Sequence, residues 1–227
     1  VALTFDAASQ GETSAGTSLT VSHTCGATAT ILILGVATYS TPATVTATYN
    51  GVAMTEVPVS NQLYGVGSTN RLTCLYLVNP ASGAHNIVIT ASVSNEIVMG
   101  AVSYLGGDTT TPQDGSAKTS ATGPPITQNI VSETNDLVVD VTSTYQPGVL
   151  TAGAGQTERV NNNNGGTNES LGMSEEAGAA SVTMSWSAST GITAIGQIGL
   201  NLNIAALAGG PFPPWRPDPQ RATLRTM

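Results

Sequence analysis

Charge is what this chain has least of: charged residues fill 9% of its 227 positions, and lysine occurs once, at Lys118. Outside the C-terminal stretch the only basic residues are Arg71, Lys118 and Arg159, and the net charge is −8. Neutralising phosphates takes clustered Lys and Arg, so a nucleic-acid partner is not expected. Aromatics are also sparse, at 4%, which thins the supply of ring platforms for sugars. Trp186, Tyr104 and Tyr145 are the candidates in the body of the chain. The longest apolar run, ILILGVA at 31 to 37, is strand-sized and well short of the roughly 18 residues needed to cross a bilayer, so no membrane insertion is expected. Cysteine is limited to Cys25 and Cys74. A bridge between them would close a loop of about 50 residues, worth roughly 4 kcal/mol in the chain-entropy model. The alternative is two separate buried thiols. A chain that opens on Val1 reads either as a mature, processed protein or as a sequence from which a leader has been left out.

What is present is alternation. Val1, Leu3 and Phe5 alternate with Ala2, Thr4 and Asp6, and the period of two continues through SLTVSHT (18 to 24), TATILILGVATY (28 to 39) and ATVTATYNGVAMTEV (43 to 57). Asn50-Gly51 is a two-residue hairpin signal. RLTCLYLV (71 to 78), HNIVITAS (85 to 92) and EIVMGAVSYL (96 to 105) complete a first set of strands. No segment of ten or more residues carries a capped helical stripe, so the chain is predicted to be all-β.

The second half repeats the plan. DLVVDVTSTY (136 to 145) parallels ILILGVATY, GAGQTERV (153 to 160) parallels YNGVAMTEV, GAASVTMS (178 to 185) parallels GAHNIVIT (83 to 90), and ITAIGQIGL (192 to 200) parallels IVMGAVSYL (97 to 105). The expectation is one antiparallel sandwich over 1 to 208, with a pseudo-repeat of about 18 to 105 and 126 to 204 and each half contributing to both sheets. The link at 106 to 125, rich in Gly, Thr and Pro, is expected to cross the surface. The Asn-rich stretch 160 to 170 reads as a solvated tip. It carries the one N-glycosylation pattern, Asn168-Glu169-Ser170, and Thr109, Thr110 and Thr111 are candidates for O-linked sugars.

Catalytic groups are few. His23 and His85 have no neighbour at metal-ligand spacing, so neither a metal nor another cofactor is expected. Both read as half-exposed strand residues. Folding could still bring one of them to a Ser and an Asp, but no Gly-x-Ser-x-Gly elbow is present. Asp136 and Asp140 share a strand face and read as a solvent-facing row, Glu175-Glu176 as a solvated edge, and Trp186 as a core-facing or half-buried ring. No catalytic residue is assigned, and the chain is expected not to be an enzyme.

The runs LTFDAASQG, TSLTVSHTCG and ILILGVATYSTPATVTATYNGVAMTEV, followed by LYLVNPASGAHNIVITAS and GAVSYLGGDTTTPQ, resemble a jelly-roll module found in phage virion or tail proteins and in secreted bacterial surface proteins. The resemblance covers roughly 1 to 205 and implies a jelly-roll-like β-sandwich used as a structural or display unit. More loosely, the chain resembles subunits of glycan-coated extracellular fibrils, in which a terminal extension joins each jelly-roll to its neighbour.

The chain closes on GGPFPPWRPDPQRATLRTM (209 to 227), with five prolines and three arginines. In polyproline II this stretch could reach about 60 Å at roughly 3.1 Å per residue, against a radius of gyration of about 17 Å for the body. It is therefore expected to be an extended assembly tail. Gly209 and Gly210 form a hinge, Pro211, Pro213 and Pro214 a pre-extended strap, Phe212 and Trp215 the anchors, and Arg216, Arg221 and Arg225 the contacts to acidic surface. The expected function is a non-catalytic subunit that polymerises with copies of itself into an extracellular fibre, with glycans as covalent additions. The alternatives are a virion or tail decoration protein and a glycan-binding adhesin. The first strand, with Val1, Leu3 and Phe5, is a second candidate for the inter-subunit link, by strand donation.

Overall fold

A computed structural model describes residues 2 to 39, 43 to 163 and 168 to 205. Val1 and the tail residues 209 to 227, including Gly209, Gly210, Pro211, Phe212, Pro213, Pro214, Trp215, Arg216, Arg221 and Arg225, lie outside them. The described residues form antiparallel β-structure throughout, with one short 3-10 turn at Val66–Ser68, as the alternation predicts.

The first half supplies β1 (Thr4–Cys25), β2 (Ala29–Tyr39), β3 (Val45–Tyr49), β4 (Val52–Ala53), β5 (Thr55–Glu56), β6 (Gln62–Tyr64), β7 (Asn70–Val78) and β8 (Gly83–Leu105). The second supplies β9 (Ser116–Ala121), β10 (Ile126–Val131), β11 (Leu137–Tyr145), β12 (Leu150–Ala152), β13 (Thr157–Asn162), β14 (Glu169–Ala177), β15 (Ser181–Ala188) and β16 (Ala194–Leu202). Asn50 and Gly51 both take positive φ, 49° and 77°, the type I′ geometry that lets β3 turn tightly into β4.

Each half builds its own sandwich, which corrects the expectation of one sandwich with shared sheets. In the second half a five-stranded sheet (β13-β14-β11-β16-β9) faces a three-stranded one (β10-β15-β12). The first half makes the same two layers from a single eight-stranded sheet folded on itself. The early part of β1 and the late part of β8 pair beside β2, whereas residues 18 to 25 pair with 83 to 90 beside β3. The register of β1 slips around Gly16, where the strand turns the corner and folds back. Val21 then meets Gly11, and the Gly26 N–H reaches the Asp6 carboxylate at 2.8 Å. Residues 8 to 17 are therefore strand.

In the second half the corresponding strands are interrupted. Pro124-Pro125 offers no N–H to a ladder and separates β9 from β10. The 106 to 125 link is thus only partly a surface crossing, because β9 pairs with β16. The turn after β15 shifts the repeat alignment. Thr38 pairs with Ile97 and its counterpart Thr144 with Ile195, so Ile97 corresponds to Ile195 rather than to Ile192. The MTEV and QTERV parallel holds. Thr55 and Glu56 pair with β7 as Thr157 and Glu158 pair with β14, Arg159 being the extra residue of a bulge.

Three sets of apolar contacts follow. One fills the first sandwich, around Leu32, Leu34, Tyr49, Ile87, Ile89 and Met99. The second sandwich is filled by Trp186, Leu150 and Ile126 at one end and Ile130, Val182 and Met184 at the other. The largest lies between the halves, where Ile31, Ile33, Leu72 and Val102 meet Val141, Leu171, Met173, Ile198 and Leu200. At about 1.5–3 kcal/mol for each large apolar side chain fully buried, this last contact is the main force holding the halves together. The molecule is a stack of four layers, with the inner layer of the first half's folded sheet and the five-stranded sheet of the second half back to back in the middle.

Repeat-equivalent residues meet across that middle. Tyr39 stacks on Tyr145 with ring centroids 5.7 Å apart and planes at 19°, and Gly35 lies against its counterpart Val141. Glycine is required by the close approach of the sheets. A Cβ on Gly100 would fall 2.8 Å from Val160 and 2.9 Å from Leu171.

Cys25 belongs to the first sandwich's interior and Cys74 to the contact between halves. Both are free thiols, so no disulfide joins them: they sit in different layers of side chains. Leu3 and Phe5 are packed on the central core, and Thr4 and Phe5 pair with Leu105 and Tyr104 of the same chain. That strand pairs within its own sheet. Gly35→Ala is expected to lower stability by about 1–3 kcal/mol through overpacking, read from the denaturant midpoint. In a Val141→Ala background the same substitution should cost less.

Candidate functional site

The folding back of β1 assembles the one array that sequence reasoning left open, a histidine with serines and an aspartate. His23 Nδ1 lies 2.9 Å from Ser9 Oγ and Nε2 3.2 Å from Ser103 Oγ, which donates in turn to Asp6 at 2.7 Å. Since Ser103 gives its proton to Asp6, its oxygen accepts from Nε2–H, and Nδ1 accepts from Ser9. His23 is 1% exposed, a correction to the half-exposed reading. Burial depresses its basicity, and Asp6 opposes that only in part. In a hydrolytic triad the carboxylate bonds the imidazole directly and stabilises the imidazolium. Here a hydroxyl stands between them, and Ser103 is fully buried. The array ties the two layers of the first sandwich together at one end. Tyr49 adds to it, its hydroxyl lying 3.1 Å from both the Ala81 and Gly83 carbonyls. His85 stays partly exposed, edge-on to Tyr49.

The carboxylates lie deeper than a solvent-facing row would place them. Asp140 is wholly buried in the second sandwich and accepts from Ser174 Oγ at 2.6 Å, Gln197 Nε2 at 2.6 Å and Trp186 Nε1 at 2.7 Å. Burial pushes its pKa up to about 6 against the pull of those donors. Asp136, also buried, takes Asn201 Nδ2 at 2.9 Å and the Ile204 N–H at 3.1 Å. Each has its own donors, so the pair is structural. Trp186 is a core ring at 1% exposure.

Polar side chains also clamp the rim of the contact between halves. Glu169, fully buried, accepts from Tyr64 Oη at 2.5 Å and Asn70 Nδ2 at 2.8 Å, and Tyr64 Oη lies 2.8 Å from Ser143 Oγ. Burial raises the Glu169 pKa to about 8. Elsewhere on the rim Arg159 pairs with Glu175 and lies 4.0 Å over the Phe5 ring, so Glu175 is a buried ion-pair partner and not a solvated edge. Lys118 Nζ donates to the Ser60 carbonyl at 2.9 Å. Burial raises both thiols, Cys74 to about 12, and neither is a nucleophile at neutral pH.

Two surface recesses have no Asp, Glu, Lys or Arg in their walls. One, of about 260 Å³, lies on the seam between halves, with Tyr64, Ser68, Ser120, Thr122 and Thr193 in its wall. The other, of about 400 Å³, lies beside the Asn50-Gly51 hairpin. Among the described residues no cluster of three or more His, Cys, Asp or Glu is arranged to hold a metal. Of the glycosylation candidates, Thr109, Thr110 and Thr111 are exposed. Asn168 is exposed too, but its Nδ2 donates to Glu96 at 2.7 Å.

No family model, curated protein or solved structure matches this chain.

Glu169 sets a pH dependence. Its pKa rises from 4.5 in a free side chain to about 8 on folding, so the native state keeps a proton that the unfolded state releases. That contribution to stability is complete below about pH 4.5 and is lost as pH rises through 8. Glu169→Gln should therefore melt higher than the native chain at pH 9, by an amount on the order of a few kcal/mol. The gap should close below pH 4.5, measured by thermal unfolding across pH.

Proposed function

We propose that this chain is a structural subunit that polymerises with copies of itself into a fibre at an extracellular or virion surface. The observation that carries the reading is the character of the outermost layers. On the first sandwich the outward positions are Ser18, Thr20 and Ser22 on β1, Thr90, Val88 and Asn86 on β8, and Thr46 and Thr48 on β3. On the second they are Thr127, Asn129 and Val131 on β10, with Ser181, Thr183 and Ser187 on β15. These two faces sit at opposite ends of the stack, and neither carries a charge. Hydroxyls and amides cost far less to desolvate than ionised groups, can hydrogen-bond across a contact and repel nothing, which suits repeated contact between identical molecules. The buried ionisable groups serve the fold: Asp140, Asp136, Glu169 and Glu175 each hold an internal partner.

In this reading the 209 to 227 tail is the strap between neighbours. Its prolines pre-pay part of the ordering cost, and Phe212, Trp215 and the arginines Arg216, Arg221 and Arg225 are its grips. No helix among the described residues is long and apolar enough to cross a membrane. Sugars on Thr109, Thr110 and Thr111 would coat the exposed loop after β8. A second reading, a glycan-binding module, is favoured by the hydroxyl-lined recess beside Tyr64, whose size and lack of charge suit one neutral sugar ring. Removing 209 to 227 is expected to leave a folded monomer with an unchanged melting curve and no fibres by electron microscopy. Fibres from the truncated chain would remove the tail from the mechanism.

A further inference from the structure

We propose that successive molecules are joined through two sheet edges, residues 18 to 25 of β1 and the whole of β10, each adding antiparallel to an edge of a second copy. The proposal rests on the assembly reading and says where the contact lies. An exposed strand edge carries a row of unpaired N–H and C=O groups. Proteins that stay apart blunt such edges with charge, bulges or brevity.

Most edges of this molecule are blunted. β9 carries Lys118, and β13 carries Glu158 and the Arg159 bulge. Two residues each make up β4 and β5, and β12 has three. The early part of β1 has Asp6, Glu12 and register shifts. Two edges differ. Residues 18 to 25, SLTVSHTC, pair with β8 in unbroken register and hold no Asp, Glu, Lys, Arg or Pro. Residues 126 to 131, ITQNIV, pair with β15 in the same way and are equally bare. Among the described residues neither stretch pairs with any other strand. Val131, at the end of β10, is 74% exposed, the most exposed large apolar side chain described.

These two edges are repeat equivalents. Val21 lies opposite Ile87 as Ile130 lies opposite its counterpart Val182. Each molecule therefore offers one bare edge per half, and a particle with two such edges grows as an open chain rather than stopping at a closed pair. The occupant is a second copy because each edge is matched in polarity and alternation by its equivalent on the other half.

Three sets of substitutions test this in the full-length chain: Asn129→Lys with Val131→Lys on β10, Thr20→Lys with Ser22→Lys on β1, and Val149→Lys in the loop before β12, which is exposed but on neither edge and neither outer face. By light scattering, either edge pair should hold the protein at dimers or smaller, while Val149→Lys assembles like the native chain. Hydrogen exchange needs no variant: amides of 126 to 131 should slow by about tenfold or more when the native chain assembles. Full-length polymers from a chain with both edges charged, or unchanged exchange at 126 to 131, would overturn edge pairing while leaving assembly standing. A native chain that stays monomeric at every concentration overturns both.

Discussion

The back-to-back contact between the inner layer of the first half's folded sheet and the five-stranded sheet of the second half is the constraint from which the rest of the molecule follows. It buries β2 and β11 on both faces, so every side chain of those strands must suit one interior or another. It demands glycine at 35 and 100, where the facing sheets leave no room for a Cβ. It also confines polar side chains to the rim. There Glu169 with Tyr64 and Asn70, Arg159 over the Phe5 ring, and Lys118 with the Ser60 carbonyl each join one half to the other. An apolar contact resists separation but has little directional preference. These bonds fix how the halves sit.

The halves share a plan and differ in how they fill it. Leu34 and Ala91 in the first sandwich correspond to Asp140 and Trp186 in the second. The two changes go together: an indole in a core needs a partner for its N–H, and Asp140 is that partner at 2.7 Å. The carboxylate would be a costly occupant on its own. Four donors from Ser174, Gln197 and Trp186 keep it tolerable, although its pKa still rises to about 6.

The strand content, the Asn50-Gly51 turn and the internal repeat were legible in the sequence because alternation and turn chemistry are local. The sheet partition was not. Alternation says which residues face inward but not whose interior they enter, and two stacked sandwiches obey it as well as one. A signal did exist in ILILGVA, an unbroken apolar run where a half-exposed strand would alternate. Asp140 could have been placed by laying DLVVDVTSTY over ILILGVATY, which puts it on buried Leu34. The His23 array left no such trace, since Ser9 and Asp6 reach it only because β1 folds back on itself. β14 was obscured in another way: its run ESLGMSE is polar in composition yet buried, because its hydroxyls and carboxylates serve the neighbouring strands.

The pairing of β1 with β8 sets the order in which the chain can become a protein. Thr4 finds its partner at Leu105, so the first sandwich closes only once that residue has been made, and it then needs nothing further from the chain. Its inner face, with Ile31, Ile33, Leu72 and Val102, must wait for Ile198 and Leu200 of β16. Throughout the synthesis of the second half, a finished sandwich therefore carries a large oily face with no cover. Such a nascent chain is a natural client for whatever shields hydrophobic surface beside the ribosome.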